Sequence, residues 1–152
     1  MRVAVLQMNS GTMPGPNLDS LEQLAEEAAG QGAQYLLSPE VTVVFAENRE
    51  GLKAVTGPWQ DNPAIARVSA LARRLGVHLH LGSLAVALPD GRFANRSVLF
   101  SPDGEIAATY DKIHLFDATL PGLRHYRESE TYSGGDTAVL ADKVLALRDG
   151  LP

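Results

Sequence analysis

An α/β fold follows from three features of this sequence. Two short apolar runs, Val3–Leu6 and Tyr35–Leu37, read as buried strands, and the residues between them repeat their apolar side chains at helical spacing. A second helical pattern begins at Asn62. Three β-like runs then follow closely, divided by the turn formers Pro89-Asp90-Gly91 and Pro102-Asp103-Gly104. The order is β-α-β-α-β-β-β, helices early and hairpins late. With 152 residues, 45% hydrophobic and without a long polar tract, a single domain with a real core is expected over 1–152.

After the first strand, the stretch from Asn9 to Pro16 is dense in turn formers. Asn17 is a plausible helix N-cap, with Asp19 and Glu22 favouring the first turns. Leu18, Leu21, Leu24, Ala25 and Ala28 form the apolar face until Gly30 and Gly32 stop the helix. Ser38-Pro39 ends the second strand, because proline cannot donate to a ladder, and Glu40 stands at that break. From Val41 to Pro58 there is no clean period, and the spacing allows a short helix over 47–55. Asn62-Pro63 then caps a helix whose face is Ile65, Val68, Leu71, Ala72 and Leu75, ending at Gly76. Strands are expected over 77–88, 93–100 and 105–110, the last delivering Asp111 and Lys112. The stretch from Leu115 to Gly135 reads as a long surface loop, and Val139–Ala141 with Val144–Leu147 as a closing hairpin.

Thirteen Lys and Arg against eighteen Asp and Glu give a net charge of −5, spread in short mixed groups, which argues against nucleic acid or an anionic membrane as the main partner. The N-terminal apolar run is too short for a signal peptide and no run is long enough to span a bilayer, so a cytoplasmic protein is expected. The chain contains no cysteine, which removes disulfides, thiolate metal sites and a cysteine nucleophile from these residues.

Chemistry in α/β proteins sits just beyond the carboxyl ends of strands, and that makes Glu40 and Lys112 the first candidates. A carboxylate there, partly desolvated among apolar neighbours, has its pKa raised toward the range of a general base, and a nearby lysine stabilises an oxyanion. The plainer readings are a solvated acid for Glu40 and, for Lys112, an ion pair with Asp111 or Asp117. His78 and His80 lie two apart on one strand face without a third ligand nearby, so a structural role is favoured over a metal. His114 and His125 flank the long loop. No serine stands in a nucleophile elbow, no glycine-rich phosphate motif occurs, and Ser133-Gly134-Gly135-Asp136 reads as a turn. Lack of an anion-binding glycine loop after the first strand disfavours a flavodoxin-like domain.

Several segments in order resemble the nitrilase superfamily, the carbon–nitrogen hydrolases: Val3–Met8, Asn17, Leu37-Ser38-Pro39-Glu40, Gly82-Ser83, Asn95-Arg96-Ser97, Asp103-Gly104, Tyr110–Asp117, Tyr126–Ser129 and Gly135-Asp136. Tyr110–Asp117 and Tyr126–Ser129 look most like the Nit branch of ω-amidase and deaminated-glutathione amidase-like members. The resemblance implies the N-terminal half of an α-β-β-α sandwich. It also implies a catalytic set in which Glu40 matches the general base, Lys112 the oxyanion-stabilising lysine and Glu128 the second glutamate. In the family a cysteine attacks a small carboxylate-bearing amide to form a thioester, ammonia leaves, and water releases the acid. No metal or organic cofactor is implied, and the family tends toward homo-oligomers. The family's cysteine follows the lysine by a few tens of residues, in a strand that continues Cys-Tyr-Asp. Lys143–Pro152 only faintly imitates that strand, so the expectation is a domain truncated before its nucleophile and inactive alone. The alternative is a non-catalytic binding or assembly partner of a complete homologue.

Overall fold

The structure, a computed structural model, describes residues 1–46, 48–118 and 126–141. Five strands form one sheet in sequence order: β1 (Val3–Val5), β2 (Tyr35–Leu37), β3 (His78–Ala87), β4 (Phe93–Phe100) and β5 (Ile106–Asp111). β1, β2 and β3 run parallel, while β3–β4 and β4–β5 are antiparallel. Parallel neighbours need long crossovers, and the two amphipathic helices α1 (Pro14–Gly30) and α3 (Pro63–Leu75) supply them. The antiparallel pairs need only the two turns read from the sequence.

Helix α3 is built as its sequence dictates. Asn62 Oδ1 accepts from the Ala64 amide at 3.0 Å, Pro63 occupies the first turn, and Gly76 takes the left-handed conformation that ends the helix. Helix α1 departs from expectation. It starts four residues earlier than an Asn17 cap would place it, with Met13 at the cap position and Pro14 first in the helix, where its missing N–H is not needed. Asn17 is instead buried, and its amide grips both main-chain groups of Gly11, at 2.9 and 2.8 Å, and the Val43 carbonyl at 2.9 Å. It thereby ties the first loop to the segment after Glu40. Asp19 and Glu22 likewise do not serve the first turn. They reach across to α3, where Arg67 donates to Asp19 at 2.6 Å and to Glu22 at 2.8 Å.

Leu21 and Ala25 of α1 and Val68, Leu71 and Ala72 of α3 pack on Leu36, Leu79, Leu81, Leu84, Val98 and Phe100. Both helices therefore cover the same sheet face. The opposite face carries Val3, Val5, Tyr35, Leu37, His80, Ser97 and Tyr110, as strand alternation requires. At one end it is covered by the segment after Glu40, where Val44 and Leu52 of the short helix α2 (Arg49–Val55) pack on Ala85 and Phe93. At the other end it is bare, with Val5 74% exposed. A β-bulge between Leu81 and Leu84 inserts one extra residue opposite Ser97.

The stretch expected as an unstructured loop contains a small ribbon, β6 (Asp117–Ala118) paired antiparallel with β7 (Tyr126–Arg127), followed by a 3₁₀ turn at Glu128–Glu130. Two-residue strands leave no readable alternation, which is why sequence pattern missed them. His125 lies outside the described residues. Val139–Ala141 forms no strand, and the partner proposed for it at 144–147 also lies outside them. No helix among the described residues is long and apolar enough to cross a membrane.

Candidate active site

β2 ends at Leu37, and the chain turns sharply through Ser38-Pro39-Glu40. The Ser38 amide still bonds the His80 carbonyl at 3.0 Å, after which β3 holds the turn by other means. Ser83 Oγ accepts from the Val41 amide at 2.8 Å, and the Ser83 carbonyl from the Thr42 amide at 3.0 Å. The Ser38 and Thr42 hydroxyls meet at 2.7 Å, and Thr42 Oγ1 also donates to the Pro39 carbonyl at 2.6 Å. Val41 sits at φ 51°, a left-handed conformation that a β-branched residue adopts only when its surroundings force it. This strained turn delivers Glu40 to the end of the sheet.

Lys112 follows directly on β5. Its main-chain amide bonds the Asn95 carbonyl at 2.9 Å, and its carbonyl receives the Gly135 amide at 2.9 Å, so the Ser133–Asp136 turn clamps the lysine's backbone. Asp111 is not its partner. That carboxylate holds Arg96 by two bonds, at 2.6 and 2.8 Å, while the guanidinium stacks 4.8 Å from the Trp59 ring. Asp117 is taken by Ser129. The Lys112 ammonium turns instead to Glu40 Oε1 at 2.9 Å and to both oxygens of Glu128, at 3.0 and 3.2 Å. Glu128, 7% exposed, is brought in by the 3₁₀ turn after β7, and its Oε2 accepts from the Phe116 amide at 2.6 Å. The three ionisable residues singled out in the sequence thus meet at one end of the sheet.

Asn95 joins them and had been given no role. From the middle of β4 its amide donates to Glu40 Oε1 at 2.7 Å and to Glu128 Oε1 at 3.3 Å. The available signal was a run of three polar residues, Asn95-Arg96-Ser97, inside a strand that is otherwise apolar.

The two carboxylates are placed differently. Glu128 has both oxygens engaged, whereas the hydrogen bonds of Glu40 fall on Oε1, leaving Oε2 without a partner among the described residues. The side chain of Glu40 is 56% exposed, and the Lys112 hydrogen bond holds its pKa below the ordinary carboxylate value, outweighing the upward push of burial, with Asn95 helping. The upward shift expected from desolvation is therefore not found. Burial pulls Lys112 down, but its bonds to Glu40 and Glu128 more than offset this, and the ammonium is held above its ordinary pKa. A carboxyl with a depressed folded-state pKa stabilises the fold above its unfolded value, and that contribution is lost as pH falls through the folded value. Acid unfolding profiles of the wild-type chain and Glu40→Gln are thus expected to differ at neutral pH and converge below the ordinary carboxylate range. Curves that stay parallel down to pH 2 would contradict the pairing.

Beside the trio opens a cavity of about 340 Å³, walled by Val41, Val44, Phe45, Phe116 and Tyr132 and floored by Asn95. Glu40 also borders a second hollow, on the bare sheet face, with Val5, Leu37, His80 and Ser97. His80 Nδ1 bonds the Tyr35 hydroxyl at 2.7 Å, and His114 is exposed. A protonated lysine beside a carboxylate with one unengaged oxygen, at an apolar cavity, is equipped to receive a proton and to face a developing negative charge.

The family model described as carbon–nitrogen hydrolase matches residues 2–149. The deaminated glutathione amidase of Yersinia enterocolitica is 34% identical over 143 residues, 92% of this chain and 49% of that protein. Omega-amidase NIT2 of Danio rerio is 34% identical over 140 residues, 88% of this chain and 47% of that protein. Among solved structures, the C. elegans NitFhit protein superposes with a TM-score of 0.77 at 26% identity, covering 90% of this chain and 34% of that one. A mutant of the amidase from Nesterenkonia sp. AN1, showing the result of Michael addition of acrylamide at its active-site cysteine, gives a TM-score of 0.74 at 27% identity, covering 90% of this chain and 50% of that one. The chain spans about half the length of the curated relatives it matches. Its sheet and helices are the first half of the sandwich that the sequence led one to expect.

Proposed function

The chain belongs to the carbon–nitrogen hydrolase family, and on that premise we propose that it forms the part of an amidase that holds the base, the lysine and the second glutamate for hydrolysis of a small carboxylate-bearing amide. The observation that carries this reading is the Lys112 ammonium set between Glu40 and Glu128 at the mouth of the cavity. In this reading Glu40 Oε2 takes the proton of a thiol supplied from outside these 152 residues, since they contain no cysteine. The thiolate attacks the amide carbon while Lys112 faces the oxyanion. Glu40 returns the proton to the departing ammonia, then takes one from the water that attacks the thioester and hands it to the leaving thiolate, which yields the acid and the free thiol. Glu128, with both oxygens occupied, keeps Lys112 in place and protonated. The bare sheet face around Val5 supports association with further polypeptide, and the reading places the protein in the cytoplasm. No observation favours a purely non-catalytic assembly partner, because the charged trio is intact.

The test supplies the thiol. This chain is co-expressed with the cysteine-bearing segment of the Nesterenkonia sp. AN1 amidase, and ammonia release from a small ω-amide such as α-ketoglutaramate is followed. Turnover that falls by about 10²-fold or more in Lys112→Ala is expected, the usual cost of losing an oxyanion donor. A co-purified pair that is inert, or whose activity ignores the substitution, would overturn the proposal.

A further inference from the structure

Asn95 is 3% exposed, and its side chain is bonded unevenly: both amide protons are used, while Oδ1 is buried without any hydrogen-bond partner among the described residues. Turning the amide over would aim that oxygen at two carboxylates, so its orientation is set by chemistry. An asparagine kept only for the fold would have its carbonyl paired, because an orphaned buried acceptor destabilises. Here the carbonyl is given up so that one neutral NH₂ can face two anions at once. The same residue's main-chain carbonyl receives the Lys112 amide at 2.9 Å.

We propose that Asn95 is a positioning residue of this site, a neutral clamp that binds Oε1 of both glutamates beside Lys112 and so leaves Glu40 Oε2 turned to the cavity. Three consequences follow from the geometry. Two carboxylates converging on one ammonium repel each other, and a donor shared between them lowers that repulsion without adding a charge that would compete with Lys112. With Lys112 on the same oxygen, a second donor on Oε1 fixes the rotation of the half-exposed Glu40 carboxylate more closely than the ammonium alone. Lys112 is located by Asn95 through the backbone and through both of its acidic partners, so the register between β4 and β5 is transmitted to the reacting groups. The role rests on the reading of Glu40 as the base, but the clamp itself is measurable without turnover.

The experiment is NMR on the 152-residue chain with labelled Glu and Asn side chains. In the wild type, the Asn95 NH₂ proton facing Glu40 is expected to shift with pH along the same midpoint as the Glu40 carboxyl carbon. In Asn95→Leu, which removes the donors at similar volume, the Glu40 midpoint is expected to rise, and in Asn95→Asp, which adds a third acid, to rise further. Circular dichroism establishes that each variant is folded. If Asn95→Leu does not fold, the wild-type amide titration decides alone. An amide that ignores pH, or folded variants whose Glu40 midpoint stays at the wild-type value, would overturn the proposal. Because amide turnover is not the readout, the clamp can stand or fall separately from the amidase reading.

Discussion

Ammonia release from small ω-amides by the purified 152-residue chain is expected to stay at the uncatalysed rate, with Lys112→Ala indistinguishable from wild type. Covalent amide hydrolysis needs a nucleophile, and a base and an oxyanion donor with nothing to activate forfeit nearly all the acceleration of the set, because such groups act as a unit. The described serine and threonine hydroxyls do not fill the gap. Among the described residues no serine or threonine lines the cavity. Ser129 Oγ is committed to Asp117 at 2.7 Å, Ser38 Oγ meets Thr42, and Ser97 Oγ donates to the Gly82 carbonyl at 2.5 Å. These bonds build the turn and the ribbon that present Glu40 and Glu128, so freeing one of the hydroxyls would loosen the site it would serve. Turnover above background that vanishes in Lys112→Ala would show that a hydroxyl or water replaces the thiol.

Gly82→Ala is expected to be the most damaging single-methyl change in the described fold. A Cβ at this position would lie 2.2 Å from the Ser38 carbonyl oxygen and 2.4 Å from that of Pro39, so main chain rather than a yielding side chain must move. Overpacking in a tight interior costs about 1–3 kcal/mol and occasionally more. With backbone on both sides and the Glu40 turn already strained at Val41, the upper end or beyond is expected, a fall of about 1–2 M in the urea midpoint for a chain of this size. Gly30→Ala is the control. Its Cβ meets nothing within 4 Å, and the change should stay within roughly 1 kcal/mol of wild type. Equal midpoints for the two variants would mean that the close approach of β3 to the Ser38–Pro39 turn is not what holds it.

Much of this was legible because periodicity and turn chemistry act locally. The apolar spacing over 63–75, the Asn62 cap and Gly76 define α3 almost to the residue, and the Pro-Asp-Gly turns mark both hairpins. Strand-end placement brought Glu40 and Lys112 forward, and family resemblance was needed for Glu128, since nothing in its neighbourhood signals burial. What failed was long-range. Asn17 looks like a cap but serves Gly11 and Val43, and Asp19 and Glu22 look like dipole partners but serve Arg67. The Glu40 pKa was misjudged in sign because desolvation is inferred from neighbours in sequence, whereas the ammonium that outweighs it is 72 positions away.

The extra residue in β3 divides that strand into two halves of opposite parity. Before it the odd positions, Leu79 and Leu81, face the helices; after it the even ones do, Leu84 and Val86, while Ala85 joins the cluster beneath α2. Insertions and deletions are therefore not equivalent along this hairpin. A residue gained or lost in the Pro89–Arg92 turn disturbs the turn's own bonds and the Arg49 contact to the Gly91 carbonyl, but leaves the facing of 84–87 unchanged. Loss of one residue at Gly82 or Ser83 would rotate the whole of 84–87 by half a period, sending Leu84 and Val86 toward the cavity and Ala85 into the helical layer, and would take away the groups that hold Val41 and Thr42. Within this hairpin, length variation that keeps the fold is thus expected at the 89–92 turn and not at the bulge of β3.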